Sequence, residues 1–366
     1  MKVAIVHDWF VELGGAEKVV RQLLKIYPDA DLFSTVDYLE NREIIFNKTV
    51  NTSFIQNLPG SKKYQKYFPL MPFAMENIDL RGYDLIISSS SSVAKCIITG
   101  PEQLHICYCH SPMRYAWDLQ EEYLEQIGNS KGFKSYIYRY LLYKMRSIDV
   151  RTSNSVDYFL ANSNYIQKRI QKVYRRDADV IYPNVEVEDF NVVEDKQNFY
   201  FTCSRLVPYK RIDLIVSAFS KMPDKKLIVI GDGPEMKKIK TLAKSNVELL
   251  GYQSFSVLKE HMENAKAFVF AAQEDFGIVP VEAQACGTPV IAYGKGGSLE
   301  TVINGVTGVH FYEQTEESLI DAVNAFESGK PLDANVIRQH ANKFSTSRFL
   351  EEFQNFVTDK FIKGEH

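Results

Sequence analysis

No apolar run in the 366-residue sequence is long enough for a membrane span, so no transmembrane helix is expected. Cysteine is sparse and odd in number: Cys96, Cys107, Cys109, Cys203 and Cys286. Such a set, lying mostly in apolar, strand-like contexts, reads as buried free thiols in a reducing compartment rather than a disulfide framework. Cys107-Tyr108-Cys109 has neither zinc spacing nor a second ligand pair. Positive charge is not in excess either. Lys and Arg number 43 against 46 Asp and Glu, and the net charge of −3 argues against a dedicated nucleic-acid binder. Gly-x-Gly-x-x-Gly is missing from the first strand–turn–helix, which disfavours a dinucleotide oxidoreductase. Apart from Ser88 to Ser92 there is no low-complexity segment. The opening residues, Met1 to Asp8, read as a strand rather than a signal peptide, and a cytoplasmic protein is expected.

What is present is an alternation of short apolar runs and helical stretches, the signature of a parallel sheet with crossover helices. The length suggests two such α/β domains. Strands are expected at Lys2–His7, Asp31–Val36, Leu85–Ser89, His105–Cys109 and Phe159–Ala161, with a helix from Gly14 to Tyr27. Pro183 to Asn198 is polar and acidic and reads as a linker. A second set follows at Phe199–Cys203, Lys226–Ile230, Val247–Leu250, Ala267–Ala271, Val290–Ala292 and Gly308–Phe311. The expected division is residues 1–190, 191–345 and a terminal helical stretch, 346–366, which either caps the second domain or crosses back to the first.

Three segments of the second domain carry chemistry. Arg205 and Lys210 follow a strand directly, where cations neutralise a diphosphate at the carboxyl edge of an open sheet; a solvated basic turn explains them equally well. Gly231-Asp232-Gly233-Pro234 is a glycine turn that either approaches a ligand or makes a tight strand–helix junction. Glu274-Asp275-Phe276-Gly277-Ile278-Val279-Pro280-Val281-Glu282 is the informative one. It predicts a helix starting near Gly277 and stopping at Cys286, with Gly287 as terminator. Glu274 then lies in the loop and Glu282 about one turn into the helix. Both acids and the helix N-terminus face one ligand with hydroxyls at its ends and a diphosphate between them.

Two acids separated by seven residues and flanking Phe-Gly resemble the retaining glycosyltransferases of family 4. The resemblance takes in Gly14-Gly15-Ala16-Glu17, His110-Ser111-Pro112, Arg205, Lys210, the Glu274/Glu282 pair and Gly294-Lys295-Gly296-Gly297. It implies the GT-B fold, α/β with two facing Rossmann-like doubly wound domains, the active site in the cleft and no catalytic metal or other cofactor. By this resemblance Arg205 and Lys210 hold the donor diphosphate, Glu282 the ribose hydroxyls and Glu274 the transferred sugar. Phe276, Gly277, Ile278, Val279 and Gly231 line the donor site. Gly14 and Gly15 bring a first-domain loop to the diphosphate, and His110 touches the donor sugar. A nucleophilic Glu274 is the alternative route to retention. Asp8, Arg114 and Tyr115 are acceptor candidates; for the last two a packed aromatic helix start explains the residue types equally well. Asp29-Ala30-Asp31 and Asp177-Ala178-Asp179 mimic a metal-binding Asp-x-Asp but read as turns that precede strands.

Cys109 to Asp118 looks most like bacterial mannosyltransferases of O-antigen and polysaccharide assembly, which makes GDP-mannose the expected donor and a glycan or lipid-linked sugar the acceptor. UDP-sugar transfer and sugar-nucleotide epimerisation are the alternatives. Lys131 to Arg146 and Lys62 to Phe73, both basic and aromatic, suit either contact with an anionic membrane surface or a partly buried helix with a solvated face.

Overall fold

The computed structural model describes residues 1–363. The chain forms two compact units, Met1–Asn184 together with the chain from Phe349 onward, and Val185–Arg348.

In the first unit seven strands, β1 (Val3–His7), β2 (Asp31–Ser34), β3 (Val50–Thr52), β4 (Leu85–Ser90), β5 (Leu104–Cys109), β6 (Tyr158–Ala161) and β7 (Ala178–Val180), make one sheet in the order β3-β2-β1-β4-β5-β6-β7. Every pairing is parallel. A parallel sheet is covered on both faces, which is why β1, β4 and β5 are continuous apolar or small runs rather than alternating ones. Ile5, Ile87 and Ile106 pack with Val20 and Leu23 of the Gly15–Ile26 helix on one face; Val6 and Ile86 meet Met71, Leu142 and Met145 on the other. The terminal helix, Thr346–Lys363, places Phe349, Phe353 and Val357 in the first of these clusters. Their spacing of four puts one apolar stripe on the sheet.

In the second unit six parallel strands, β8 (Gln197–Cys203), β9 (Leu227–Ile230), β10 (Val247–Gly251), β11 (Ala265–Phe270), β12 (Val290–Tyr293) and β13 (Gly308–Phe311), run in the order β10-β9-β8-β11-β12-β13. Both units are thus Rossmann-like. The chain order reverses beside β1/β4 in one and β8/β11 in the other, and loops at the carboxyl ends of those strands are where such sheets bind ligands.

Several sequence expectations change. The acidic stretch is no free linker: Val187 and Phe190 are buried, and Arg338 holds the carbonyls of both. Asp177-Ala178-Asp179 is not a turn before a strand, since Ala178 and Asp179 are themselves in β7. Lys62 to Phe73 is a 3₁₀ stretch, Ser61–Leu70, running into a short helix, Met71–Glu76, and not one regular amphipathic helix. Of Lys131 to Arg146, all from Phe133 on belongs to a long helix, Phe133–Ser153.

Candidate active site

At the second unit's switch point the loop after β8 carries Arg205 and Lys210, and the loop after β11 carries Glu274. Lys210 and Glu274 form an ion pair, each side chain about one-fifth exposed. Two backbone-on-backbone contacts set these loops. Gly231 has φ +140° and lies so close to the Ser204 carbonyl that a Cβ there would sit 1.8 Å from its oxygen. Leu206 N–H donates to the Asp232 carbonyl at 2.9 Å, which ties the loop after β8 to the loop after β9. Gly231 is therefore explained by packing, and the structure gives it no need of a ligand. Gly297 plays the same part for the acidic loop. Its N–H donates to the Glu274 carbonyl at 2.8 Å, and a Cβ would fall 2.4 Å from the Phe276 Cα.

Gly277, with φ +87°, caps the Ile278–Ala285 helix without a side-chain partner. The N–H groups of Ile278 and Val279 have no carbonyl within the helix to reach, and Pro280 has no N–H at all. The positive end of this helix therefore lies in the same loop as Glu274. Glu282 is half-buried one turn further on. Burial raises the Cys203 thiol, at the end of β8, well above its usual range; the charge of Glu282 adds to this and that of Lys210 opposes it. Both groups thus act on one point at the carboxyl end of β8. The ring of Phe276 is buried against Phe344, 5.4 Å between centroids, so its side chain belongs to the core.

The first unit's switch point holds a second polar cluster. His7 ends β1, its register partner Ser89 lies in β4, and His110 follows β5. His110 Nε2 lies 2.8 Å from Ser89 Oγ, which lies 3.2 Å from His7 Nδ1; His7 Nε2 is 3.3 Å from Glu17 Oε1. Gly14 N–H donates to the other Glu17 oxygen at 2.8 Å, half of a capping box. Burial alone would lower the His7 pKa, but the hydrogen bond and charge of Glu17, with Asp8 adding to them, leave it raised. The Glu17 carboxyl is opposed by burial but ends lowered by His7. Burial and the charge of His7 bring His110 down to about 3, so its ring is neutral at physiological pH.

Asp8 is also corrected. It is buried, and its carboxylate accepts N–H bonds from Ser91 (2.6 Å), Val93 (2.8 Å) and Ala94 (2.7 Å), so it fastens the turn after β4 instead of reaching an acceptor. Tyr115 bonds Ser92 Oγ at 2.5 Å and packs edge-on to Phe68, which makes it a post within the fold; Arg114 beside it is half-buried. Sequence reasoning missed Glu17 and His7 as functional candidates. Their signal was the Gly-Gly-x-Glu spacing, which puts a carboxylate at the third position of the helix. Among the described residues no group of three or more His, Cys, Asp or Glu could hold a metal ion.

Residues 13–189 match the family model for Glycosyltransferase Family 4, and residues 185–343 match that for glycosyl transferases group 1. Folds of this kind are seen in solved glycosyltransferases. Anabaena Alr3699/HepE, in complex with UDP, aligns over 98% of this chain and 100% of its own at a TM-score of 0.71 and 18% identity. Sucrose-phosphate synthase of Thermosynechococcus elongatus aligns over 99% and 100% at 0.73 and 18%. The chain is a glycosyltransferase of the GT-B architecture, with one glycosyltransferase family model matching each of its halves. The uncharacterized glycosyltransferase MJ1178 of Methanocaldococcus jannaschii is 28% identical over 94% of both chains. Yeast alpha-1,3/1,6-mannosyltransferase ALG2 is 25% identical over 55% of this chain and 48% of its own.

Proposed function

We propose that the protein is a retaining α-mannosyltransferase that moves mannose from GDP-mannose to a glycan or lipid-linked acceptor in surface polysaccharide synthesis. The observation that carries a sugar-nucleotide donor is the Lys210–Glu274 pair beside the open N-terminus of the Ile278–Ala285 helix. Arg205 and Lys210 neutralise the diphosphate, the N–H groups of Ile278 and Val279 add to them, Glu282 takes the ribose hydroxyls and Glu274 the sugar hydroxyls. In the transfer the bond from the anomeric carbon to phosphate oxygen breaks and the electron pair leaves with the nucleoside diphosphate. A bond to the acceptor oxygen forms on the same face, and the acceptor proton passes to the departing phosphate. Cations fixed before the reaction stabilise that growing charge without reorganising, and this route needs no metal ion. Gly14, Gly15 and His110 of the first unit are the remaining candidate donor contacts.

Mannose draws on the Cys109–Asp118 pattern and on the similarity to ALG2. A UDP-sugar donor is the second reading, favoured by the UDP-glucose complex of Anabaena HepE, a protein of like fold. A membrane-bound acceptor is supported by the Phe133–Ser153 helix, on which Phe133, Tyr136, Ile137 and Tyr140 are exposed on one face near Lys134 and Lys144. No helix among the described residues is long and apolar enough to cross a membrane, so this contact would be peripheral, on the inner face. The test is donor hydrolysis across a panel of GDP- and UDP-sugars. GDP-mannose turning over fastest supports the assignment, and a UDP-sugar turning over faster replaces it.

A further inference from the structure

The cluster in the first unit is more than a set of buried polar groups, because its hydrogen bonds are continuous from a carboxylate to an outward nitrogen. Glu17 is fixed by the Gly14 N–H and faces His7 Nε2. His7 Nδ1 has two neighbours on Ser89, the carbonyl at 3.1 Å, which can only accept, and the hydroxyl at 3.2 Å, which can do either. That hydroxyl has one proton and is also 2.8 Å from His110 Nε2. His110 Nδ1 has no hydrogen-bond partner among the described residues. Asn162 Nδ2 donates to the His110 carbonyl at 3.0 Å, and the Tyr108 ring flanks the imidazole at 5.2 Å, so the ring is held.

We propose that Glu17, His7, Ser89 and His110 form a proton wire in which the charge state of His7 sets whether the outward nitrogen of His110 donates or accepts a hydrogen bond. With His7 charged, Nε2–H donates to Glu17 and Nδ1–H to the Ser89 carbonyl. Ser89 Oγ–H then donates to His110 Nε2, and the His110 proton lies outward on Nδ1. With His7 neutral, its remaining proton stays on Nε2, because the charged Glu17 carboxylate holds it more strongly than the neutral Ser89 carbonyl does. His7 Nδ1 becomes an acceptor for Ser89 Oγ–H, Ser89 Oγ accepts from His110 Nε2–H, and the outward Nδ1 of His110 carries a lone pair. The two states differ by one proton. It leaves from His110 Nδ1, the Ser89 proton moves to His110 Nε2, and the His7 Nδ1 proton moves to Ser89 Oγ, so every hop is balanced by the next.

The groups facing His7 fit this division. Glu17 comes from the first helix, Asp8 adjoins it in the chain, Ser89 lies on β4, His110 follows β5, and Phe10 lays its ring 4.9 Å away. Tyr64 is also in the field of Asp8 and Glu17, and burial holds its hydroxyl up at about 12, so it stays neutral. Glu17 and His7 are positioning residues here. They act on substrate only through His110, and the relevance to transfer rests on His110 meeting the donor sugar as proposed above.

The test is a pH titration of the full chain labelled with ¹⁵N-histidine, in which the protonated nitrogen of each ring is read by NMR without any substrate. The expected result is that His110 carries its proton on Nδ1 while His7 is charged and moves it to Nε2 in step with the titration of His7. Glu17→Gln breaks the rule that fixes this step. Its amide donates to His7 Nε2, leaves the neutral His7 proton on Nδ1, and so holds His110 in the Nδ1–H form at every pH. Ser89→Ala lets His7 titrate with no response from His110. A wild-type His110 whose protonated nitrogen ignores the titration of His7, or lies on Nε2 while His7 is charged, overturns the proposal. Inactivity of the enzyme with GDP- and UDP-sugars, by contrast, bears on the donor assignment and leaves this readout untouched.

Discussion

Replacing Lys95 by Met should destabilise the first unit by about 3–5 kcal/mol, the usual cost of removing one partner of a buried ion pair. Lys95 and Asp149 are 1% and 0% exposed and form an ion pair. The Asp149 carboxylate also accepts from Trp117 Nε1 at 2.8 Å and Tyr174 hydroxyl at 2.9 Å, while Lys95 reaches the Ser92 carbonyl at 3.3 Å. The pair thus joins the turn after β4, the loop after β5 and two helices. Without Lys95 the carboxylate keeps only two neutral donors. The double variant Lys95→Met/Asp149→Asn removes that stranded charge and gives up one acceptor position, so it should regain about 1–2 kcal/mol over the single. Both tryptophans, Trp9 and Trp117, lie in the first unit, so guanidinium unfolding followed by tryptophan fluorescence reads that unit alone. With a slope of about 4 kcal/mol per molar, the midpoint should fall by about 1 M. A loss below about 1 kcal/mol, or a double variant less stable than the single, would refute the reasoning.

Phe353→Ala should cost the first unit about 3–5 kcal/mol, seen in the same fluorescence transition, because a fully buried ring of the terminal helix leaves that unit's core. Gly297→Ala forces a Cβ into the backbone of the Glu274 loop. Affinity for the nucleoside diphosphate should fall at least about tenfold in calorimetry while first-unit unfolding is unchanged. The His7–Glu17 pair should also leave a mark on stability against pH. The raised pKa of His7 contributes stability below its ordinary 6.5 and loses it as pH rises through the folded value. The lowered pKa of Glu17 contributes above its ordinary 4.5 and loses it as pH falls through the folded value. The stability difference between wild type and Glu17→Gln should therefore be largest between pH 4.5 and 6.5, and a difference that does not vary with pH would dismiss it.

The central strands were legible because burial on both faces leaves unbroken apolar runs such as Val3–Val6 and Ala267–Phe270. The first unit's edge strands were not. Val50–Thr52 and Ala178–Val180 are three residues long and partly exposed, so no run marks them. Switch-point loops were legible through glycine and charge, since Gly297 and the Glu274 pair lie within one short stretch of sequence. Asp149 escaped notice for the opposite reason: its partner Lys95 is 54 residues away, and an Asp within a basic, aromatic helix reads as surface. Asp8 misled in the same way. Its place at the end of β1 suggested substrate, but three amide donors of a turn more than 80 residues away already occupy its carboxylate.

The central claim is that the second unit's switch point binds a nucleoside diphosphate sugar through Lys210, Arg205 and Glu282. Calorimetric titration of GDP and UDP into the wild type, Arg205→Ala, Lys210→Ala and Glu282→Ala tests it most directly. Saturable binding of GDP in preference to UDP, weakened at least about tenfold by each substitution in a protein that stays folded, is the result expected. Binding that survives all three substitutions unchanged, or no binding of either nucleotide to the folded wild type, would contradict it.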